Sequence, residues 1–239
     1  MIPEDHPRYH ALVRREKIAD SARAGIVAME GVSAHGRGET FDYLIGERTT
    51  ESALLAEKTA AAMLLAAEHP VISVNGNTAA LAAEEIAALQ KACGAKVEVN
   101  LFHRTEERME KITHLLEEAG VSVLTGTFER LIPLSHDRAI CLHEGIGSAD
   151  LVLVPLEDGD RCEALRRMGI KVITIDLNPL SRTSKTADLT IVDELTRALP
   201  NITLACRNPD RDLIASCDNM KFLHAALDEI QSRLSHALD

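Results

Sequence analysis

The sequence predicts an α/β fold built on a doubly wound, mostly parallel sheet of six strands, with a helical cap at the N-terminus. From Pro70 onward, short apolar runs rich in β-branched residues alternate with helix-forming segments, a rhythm that is typical of parallel β-α-β units. The runs are apolar almost throughout, which indicates a sheet covered on both faces. With 239 residues, the chain is long enough for one domain of this Rossmann-like kind, whereas two separate cores would be small.

The first 69 residues are predicted to be the helical cap. The opening helix has a broken helical period and is expected to stop at Gly31. A second helix, from Thr49, is rich in strong helix formers and ends before Pro70, because the residue that precedes a proline disfavours helix. The segment between them, SAHGRGETFDYLIGER, contains three glycines and is predicted to be a loop.

Residues 70–200 are predicted to form the sheet and its helices. The strands are expected to begin near Val71, Lys96, Val121, Leu151, Lys171 and Leu189. The stretch from Thr127 to Gly147 follows neither a helical nor a strand period and is expected to be irregular. Residues 201–239 are predicted to be C-terminal helices, so that cap, core and tail together form a single α/β domain.

Composition excludes several classes of function. The formal net charge of -11 argues against general nucleic-acid binding, and two Tyr, four Phe and no Trp leave few platforms for base stacking. The longest apolar run, AAAMLLAA, is far shorter than the roughly 18 residues that indicate a membrane span. The N-terminus lacks the layout of an export signal, and five cysteines without CxxC spacing are typical of reduced thiols. We therefore expect a cytoplasmic protein with no nucleic-acid or membrane partner.

Polar clusters follow several of the predicted strands, and ligands of doubly wound sheets bind beyond the carboxyl ends of the strands. After the first strand, Asn75, Gly76 and Asn77 form either a tight turn, with Gly76 at positive φ, or a helix start whose amides bind an anion. After the second strand, Asn100 and Arg104 could meet a carboxylate or phosphate. A solvated arginine in the first turn of a helix is an equally good interpretation of Arg104.

Two further clusters follow the fourth and fifth strands. Glu157, Asp158 and Asp160 are suited to a Mg²⁺ neighbourhood, although acidic residues also stabilise a helix N-terminus without any metal. The second cluster begins at Asp176, which could accept from ribose or adenine, and continues to Arg182, whose guanidinium could contact phosphate. A polar surface loop is the alternative for this cluster.

The predicted cap carries cations of its own. Arg14, Arg15 and Lys17 lie within one helical turn, and Arg37 lies between two glycines, where backbone can approach a ligand closely. A helix with like charges is usually only solvated, so these cations matter if the cap lies over the carboxyl edge of the sheet. Together the clusters indicate an α/β protein that binds a nucleotide or phosphate, with its chemistry left open.

Six stretches, in one order along the chain, carry a resemblance to a known family: HPRYHALVRREKI, AHGRGETFDYLIGERT, HPVISVNGNTAAL, VNLFHRTEERMEKI, ADLVLVPLEDGDRCEALRRMG and VITIDLNPLSRTSKTADLTIVD. In these stretches the chain resembles the archaeal phosphopantothenate synthetases, or 4-phosphopantoate–β-alanine ligases, of coenzyme A biosynthesis. The resemblance covers residues 2–201 and implies an ATP-dependent ligase that forms AMP through a phosphopantoyl-adenylate. It also implies a homodimer whose other partners are small molecules: ATP with Mg²⁺, 4-phosphopantoate and β-alanine.

The resemblance further implies a nucleotide site, position by position. Its members are Arg15, Arg37, Asp176, Leu177, Asn178, Arg182, Thr183, Glu194 and Leu195. Glu194 stands where the family usually carries Asn, and a carboxylate beside phosphates would repel them. At that position we expect only a backbone or ribose contact.

The strand ends that adjoin this nucleotide site are the predicted place for the other substrates. The residues hypothesised to bind the phosphate and carboxylate of phosphopantoate are Asn75, Asn77, Asn100 and Arg104. The candidate catalytic residues are Arg37, Arg104 and Asp158. The carboxylate of Asp158 would position Mg²⁺ or take a proton from β-alanine.

Two other functional hypotheses stay open. A regulatory nucleotide-binding module would bind ATP without releasing diphosphate. A nicotinamide-dependent oxidoreductase would need a glycine-rich first turn of the GxGxxG kind, whereas VNGNTAA supplies one glycine.

Overall fold

A parallel sheet lies at the centre of the protein, whose computed structural model describes residues 2–156 and 158–237. The strands are β1 (Pro70–Val74), β2 (Lys96–Val99), β3 (Phe128–Arg130), β4 (Ile140–Leu142), β5 (Leu151–Pro155), β6 (Lys171–Ile175) and β7 (Leu189–Ile191). Five of these form the sheet, in the order β2-β1-β5-β6-β7 and all parallel, which confirms the predicted α/β class. Strands β3 and β4 form a separate antiparallel pair, within the stretch expected to be irregular.

Helices precede the sheet and surround it. Those in the described residues are α1 (Tyr9–Arg23), α2 (Met29–Ile45), α3 (Glu51–Ala66), α4 (Gly76–Cys93), α5 (Glu106–Glu118), α6 (Gly159–Arg167), α7 (Arg182–Thr186), α8 (Leu195–Ala205), α9 (Asp212–Ala215) and α10 (Asn219–Ser235). Helix α8 continues through residue 200, where the sequence predicts the core to end. Among the described helices, none combines the length and the hydropathy that crossing a membrane requires.

The sixth strand, predicted to begin near Val121, does not form among the described residues, and this prediction is wrong. Val123 makes a single bridge to Val97. The side chain of Gln90 binds the backbone of Ser122 instead, accepting from the amide at 2.8 Å and donating to the carbonyl at 2.9 Å. Because those backbone groups are already satisfied, no ladder extends the sheet beyond β2.

The segment predicted to be a loop is helix α2, so that prediction is also wrong. Glycine disfavours helix by about 1 kcal/mol relative to alanine, but packing can outweigh this preference. A Cβ on Gly31 would lie 2.2 Å from Oδ1 of Asn77, and one on Gly38 would lie 3.6 Å from Leu177. Gly31 therefore lets α2 approach Asn77 closely, whereas the contact at Gly38 is an ordinary one, and the helix ends before its C-cap Gly46, whose φ is +107°.

Alternate residues of the strands enter two apolar clusters, one on each face of the sheet. On one face, Ile72 and Val74 of β1 belong to a cluster with residues of α3, α4, α5 and α8. On the other face, Val71 and Val152 pack in a cluster with Leu165 of α6. The expectation that both faces of the sheet are covered is therefore confirmed.

The strand order reverses beside β1, and this reversal opens a crevice at the carboxyl edge of the sheet. From β1 the chain moves outward to β2 on one side, whereas β5, β6 and β7 extend from the other side. The loops after β1 and β5 therefore lead in opposite directions, and such a switch point is where doubly wound sheets bind ligands. Helix α2 lies over this point, where its residues meet those of both loops.

A buried ionic network fastens α2 to the sheet. The carboxylate of Asp42, in α2, is 1% exposed and lies 3.4 Å from the Arg14 guanidinium and 2.5 Å from that of Arg197. Arg197, in the first turn of α8, also donates from Nε to Asp193 at 2.9 Å. Burial lowers the pKa of Arg197, but hydrogen bonds to Asp42 and the charge of Asp193 more than offset it, so its pKa is raised. The buried ionic network comprises Arg14, Asp42, Asp193, Glu194 and Arg197.

Glu57, in α3, is a buried carboxylic acid beside this network. Its Oε2 accepts from Asn201 at 2.9 Å, while its Oε1 has no hydrogen-bond partner among the described residues. Burial first, and then the negative charge of Asp193, raise the pKa of Glu57 to about 9. Glu57 is therefore protonated at neutral pH, and in that form it can donate a hydrogen bond to Asp193.

Replacing Asp42 with alanine is expected to destabilise the protein by about 3–5 kcal/mol, because the buried Arg14 and the partly buried Arg197 lose the anion that they share. Urea unfolding measures the change as a shift of the midpoint. The matched control is Asp20→Ala, whose carboxylate is 73% exposed and pairs with Arg23. The control should lose less than about 1 kcal/mol, and an equally small loss in Asp42→Ala would contradict the role given to the network.

Replacing Glu57 with glutamine is expected to change how stability depends on pH. The folded protein holds a proton that the unfolded chain releases above about pH 4.5, because the pKa of Glu57 is raised to about 9. The stability of the wild type relative to Glu57→Gln should therefore fall as pH rises between those values, by up to about 1.4 kcal/mol per pH unit. Unfolding both proteins across this range measures the difference, and a difference independent of pH would contradict the assignment.

Candidate active site

Two clefts lie side by side beneath α2, at the carboxyl ends of the strands. The first cleft has a volume of about 320 Å³ and is lined by residues that follow β1 and β2. The second cleft has a volume of about 430 Å³ and is lined by residues that follow β6. Arg37 of α2 lines both clefts, as do Leu156 and Asp158 after β5, so these residues form a shared wall. Ligands in the two clefts would therefore be neighbours.

The shared wall contains a strained residue. Leu156 has a φ of +57°, a conformation that costs a residue with a side chain about 1–3 kcal/mol. Asn75 braces it, since its Nδ2 donates to the carbonyls of Pro155 at 3.1 Å and Leu156 at 3.2 Å. Its Oδ1 accepts from the amide of Thr78 at 3.0 Å and so caps α4. Asn75 therefore joins the loops after β1 and β5, and it lines the first cleft.

The first turn of α4 also borders the first cleft. Of the two alternatives at Gly76, the helix start forms and the tight turn with positive φ does not; a Cβ there would lie 2.4 Å from the carbonyl oxygen of Ile26, and this close approach requires glycine. Asn77 donates to the carbonyl of Gly31 at 2.8 Å and so holds α2 in place. Because first-turn amides have no acceptor within their own helix, those of Gly76 and Asn77 are donors at the cleft.

Arg108 lines the first cleft, although sequence reasoning did not single it out. It lies in the first turn of α5, whose N-cap Thr105 accepts from the Arg108 amide at 3.2 Å. Its guanidinium donates to the carbonyl of Ile26 at 3.1 Å and to that of His103. The N-cap signal at Thr105 could have shown that Arg108 lies in the first turn of the helix that follows β2.

Arg138 also lines the first cleft and was likewise missed. It lies in a 3₁₀ turn at residues 137–139 and is 3% exposed. Its guanidinium donates to the carbonyl of Asn100 at 2.9 Å, and its Nε lies 3.8 Å from the Asp158 carboxylate. The surrounding sequence has no period that predicts where this side chain points.

Asn100 and Arg104 lie beside the first cleft and are not among the residues that line it. Asn100 is buried, and its side chain donates to the carbonyl of Ile140 at 2.9 Å. Its own backbone carbonyl accepts from Arg138, so Asn100 helps to hold Arg138 in position. The Arg104 guanidinium lies 3.9 Å from the ring centroid of Phe128, in β3, and burial lowers its pKa. Direct contact of either residue with a substrate stays a prediction.

The loop after β6 forms one side of the second cleft. Asp176, Leu177, Asn178 and Thr183 of the predicted nucleotide site all line this cleft. The Asp176 carboxylate accepts from the amide of Asn178 at 2.9 Å and from the hydroxyl of Ser181 at 2.6 Å. Burial raises the pKa of Asp176, although these hydrogen bonds favour the charged form. Asp176 therefore shapes the loop as well as bordering the cleft.

Arg182 and Arg15 lie on the surface, outside the residues that line the two clefts. Arg182 has a 64% exposed side chain and lies 2.5 Å from the Glu163 carboxylate. Arg15, on α1, lies 2.7 Å from the Glu39 carboxylate. Contact with a phosphate would require each ion pair to open, so their assignment to the nucleotide stays a prediction.

Glu194 and Leu195 line a smaller recess next to the second cleft. Glu194 is the N-cap of α8, where its Oε2 accepts from the amide of Thr196 at 2.8 Å. Its Oε1 lies 3.6 Å from the Arg14 guanidinium. Because the cap and the ion pair engage this carboxylate, its negative charge is balanced within the protein, which reduces the repulsion expected toward phosphates.

The acidic group after β5 is divided among different partners. Asp160 lies 2.9 Å from Nε2 of His136 and accepts from the amide of Arg161. Asp158 borders both clefts, and its side chain is 48% exposed. Glu157 lies outside the described residues. Within residues 2–156 and 158–237, no three side chains of metal-ligating type cluster, and a role of Asp158 toward Mg²⁺ stays a prediction.

The chain is similar along its whole length to curated archaeal proteins. It is 60% identical to a 4-phosphopantoate–β-alanine ligase of Methanospirillum hungatei, over 100% of both chains. It is 53% identical to a protein of that name from Methanosarcina mazei, over 98% of this chain and 95% of the relative. A third, from Thermococcus kodakarensis, is 50% identical over 98% of this chain and 94% of its own.

A family model agrees with these relatives. The model describes phosphopantothenate/pantothenate synthetases and matches residues 52–233, which include every strand of the sheet and the loops that border both clefts. On this match and on the similarity to the archaeal relatives, the chain belongs to the phosphopantothenate/pantothenate synthetase family.

Proposed function

We propose that this chain is an AMP-forming ligase, which joins 4-phosphopantoate to β-alanine with ATP and gives 4′-phosphopantothenate, AMP and diphosphate. The observation that carries the proposal is a pair of clefts with a shared wall, in a chain 60% identical to a relative of that name. Two substrates that react with each other need adjoining sites, because much of the rate enhancement of such reactions comes from their positioning.

ATP is proposed to lie in the second cleft, with its α-phosphate at the shared wall. The loop from Asp176 to Asn178 offers backbone and carboxylate groups to the nucleoside, and Thr183 borders the same cleft. Arg37 lies on the wall itself, where a guanidinium could stabilise the charge that develops on the α-phosphate. The acid substrate is proposed to lie in the first cleft, with its carboxylate toward this wall.

The proposed reaction has two steps. A carboxylate oxygen of 4-phosphopantoate attacks the α-phosphorus of ATP, and the bond from that phosphorus to the bridging oxygen breaks, so diphosphate leaves. The neutral amine of β-alanine then attacks the acyl carbon of the adenylate, AMP leaves with the electron pair of the C–O bond, and the nitrogen gives up a proton. Activation is necessary because a free carboxylate would have to expel oxide.

The two substrates together carry roughly six negative charges, of which a phosphate monoester supplies nearly two. An acidic chain must therefore supply cations locally, and Arg37 at the wall is one of them. Mg²⁺ would neutralise further charge, and it is usually bound through one or two carboxylates together with substrate phosphates. Asp158 is the residue proposed to hold it, since its exposed carboxylate borders both clefts.

We also propose that the enzyme is a homodimer, as the resemblance to the family implies, and that it is cytoplasmic, as its N-terminus and cysteines predict. Sedimentation equilibrium of the purified protein at micromolar concentration would measure its mass. A particle with the mass of one chain would contradict the dimer.

The products distinguish the proposed reaction from its alternatives. Incubation with ATP, Mg²⁺ and 4-phosphopantoate should release AMP and 4′-phosphopantothenate when β-alanine is present. Release of ADP and phosphate would contradict the adenylate and indicate an acyl-phosphate route. Saturable binding of ATP without any turnover would contradict the ligase and favour a regulatory module.

The two charged residues of the shared wall should affect the reaction in different ways. Arg37→Gln is expected to lower kcat/KM by about 10²- to 10³-fold, because it removes a cation at the reacting phosphate. Asp158→Asn is expected to raise the Mg²⁺ concentration needed for half-maximal rate. Steady-state kinetics at varied Mg²⁺ measures both effects, with Arg23→Gln, an exposed arginine of α1, as the control. An Arg37→Gln enzyme as active as the control would contradict the role of Arg37 at the reacting phosphate. An unchanged Mg²⁺ dependence in Asp158→Asn would contradict the role of Asp158 in binding Mg²⁺.

A further inference from the structure

We propose that Arg108 and Arg138 form a phosphate subsite in the first cleft, which binds the phosphate monoester of the acid substrate at the N-terminus of α4. The inference rests on the proposed function, since it assumes that the acid occupies the first cleft. It differs from the sequence-based hypothesis, in which Asn75, Asn77, Asn100 and Arg104 bind the phosphate and the carboxylate of the acid.

The hydrogen-bond partners of Arg108 in the described chain are neutral. Its guanidinium donates to two backbone carbonyls, those of Ile26 and His103, and its Nε is buried without a hydrogen-bond partner among the described residues. No carboxylate of the described chain forms an ion pair with it; Glu30, which also lines the cleft, lies 3.7 Å from His103 instead. Burial lowers the pKa of Arg108, and the opposing charge of Glu30 does not offset this effect.

The Arg108 guanidinium also lies against the positive end of a helix. A Cβ built on Gly76, the first residue of α4, would be 3.2 Å from Nη2 of Arg108. Free first-turn amides carry partial positive charge, so a cation beside them is repelled rather than stabilised. Side chains of negative charge are the usual occupants of such a position. An anion that accepts from the amides and the guanidinium together would reverse this unfavourable arrangement.

Arg138 brings a second guanidinium to the same cleft from a separate element, the 3₁₀ turn. It is 3% exposed and is anchored by the carbonyl of Asn100 at 2.9 Å, so it is held in place before any ligand binds. Arginine is well suited to phosphate, because its planar fork of donors matches the phosphate oxygens. Two such groups beside a helix N-terminus match a dianionic phosphate monoester.

The phosphates of ATP would bind two arginines in the same way. The position of the subsite in the first cleft decides whether it binds a phosphate of ATP or the phosphate of the acid. The nucleoside is assigned to the loop at Asp176, which borders the second cleft. Arg37 and Asp158 lie between that loop and the arginine pair, as the wall that both clefts share. A phosphate bound in the first cleft lies on the other side of the shared wall from the nucleoside. It is therefore the phosphate of the acid, whose carboxylate faces the wall.

Selectivity for the phosphorylated acid tests the subsite. Arg108→Gln should lower kcat/KM for 4-phosphopantoate by about 10- to 100-fold, which is the value of one charge-assisted interaction. The rate with pantoate, the same acid without its phosphate, should stay within about threefold, as should the KM for ATP. Arg108→Lys should recover part of the loss, and Arg23→Gln is the matched control. A loss that is equal for both acids, or a rise in the KM for ATP instead, would overturn the proposal.

Inorganic phosphate provides a test that needs no variant. In the wild type it should inhibit competitively against 4-phosphopantoate and not against ATP; competition with ATP alone would overturn the subsite. If the wild type shows no ligase activity, the proposed function fails, and calorimetric titration with phosphate decides the subsite independently. Binding that is lost in Arg108→Gln or in Arg138→Lys supports the subsite, whereas equal binding by wild type and both variants would overturn it.

Discussion

The contact between Asp42 and Arg197 is the constraint on which the geometry of both clefts depends. Asp42 lies near the end of α2, and Arg37 precedes it by five residues, or about 7.5 Å along the helix axis. Because a helix is stiff over this distance, fixing Asp42 to α8 also fixes Arg37 over the loops that follow the strands. A buried ion pair contributes less to net stability than to orientation, because desolvation of both charges offsets most of their attraction. In this fold the ion pair orients α2, and the geometry of the two clefts depends on that orientation.

An acidic chain can bind highly charged substrates because local arrangement, and not net charge, sets the potential in a cleft. The formal net charge is -11, yet Arg37, Arg108 and Arg138 all line the first cleft, beside the start of α4. Salt screens surface carboxylates within about 10 Å, so acidic residues elsewhere on the protein scarcely affect a partly buried cleft. The negative charge of Glu194 is likewise balanced locally, because its carboxylate lies close to Arg14 and accepts from the amide of Thr196.

Sequence reasoning succeeded where local pattern decides structure and failed where distant contacts do. The alternation of apolar runs and helices predicted the parallel sheet, and the polar residues after β1 and β6 border the clefts as expected of strand ends. The glycines at positions 36, 38 and 46 indicated a loop, but Gly36 and Gly38 lie within α2 and only Gly46 stands at its end, because packing outweighs the cost of glycine in a helix. The strand at Val121 failed because the side chain of Gln90 satisfies the backbone that a ladder would use.

The sequence by itself determined the α/β class, the strand ends that border the two clefts and the family to which the chain is similar, because these depend on short-range periodicity and on motifs. Only the tertiary structure decided which arginine reaches the first cleft. Arg104 and Arg108 lie four residues apart, on either side of the N-cap Thr105, and this local signal does not show which of them reaches the cleft. Arg108 enters the cleft because it meets the carbonyl of Ile26, which lies 82 residues earlier in the chain. Arg104 turns instead to the Phe128 ring of β3, a contact that exists only once the chain has folded.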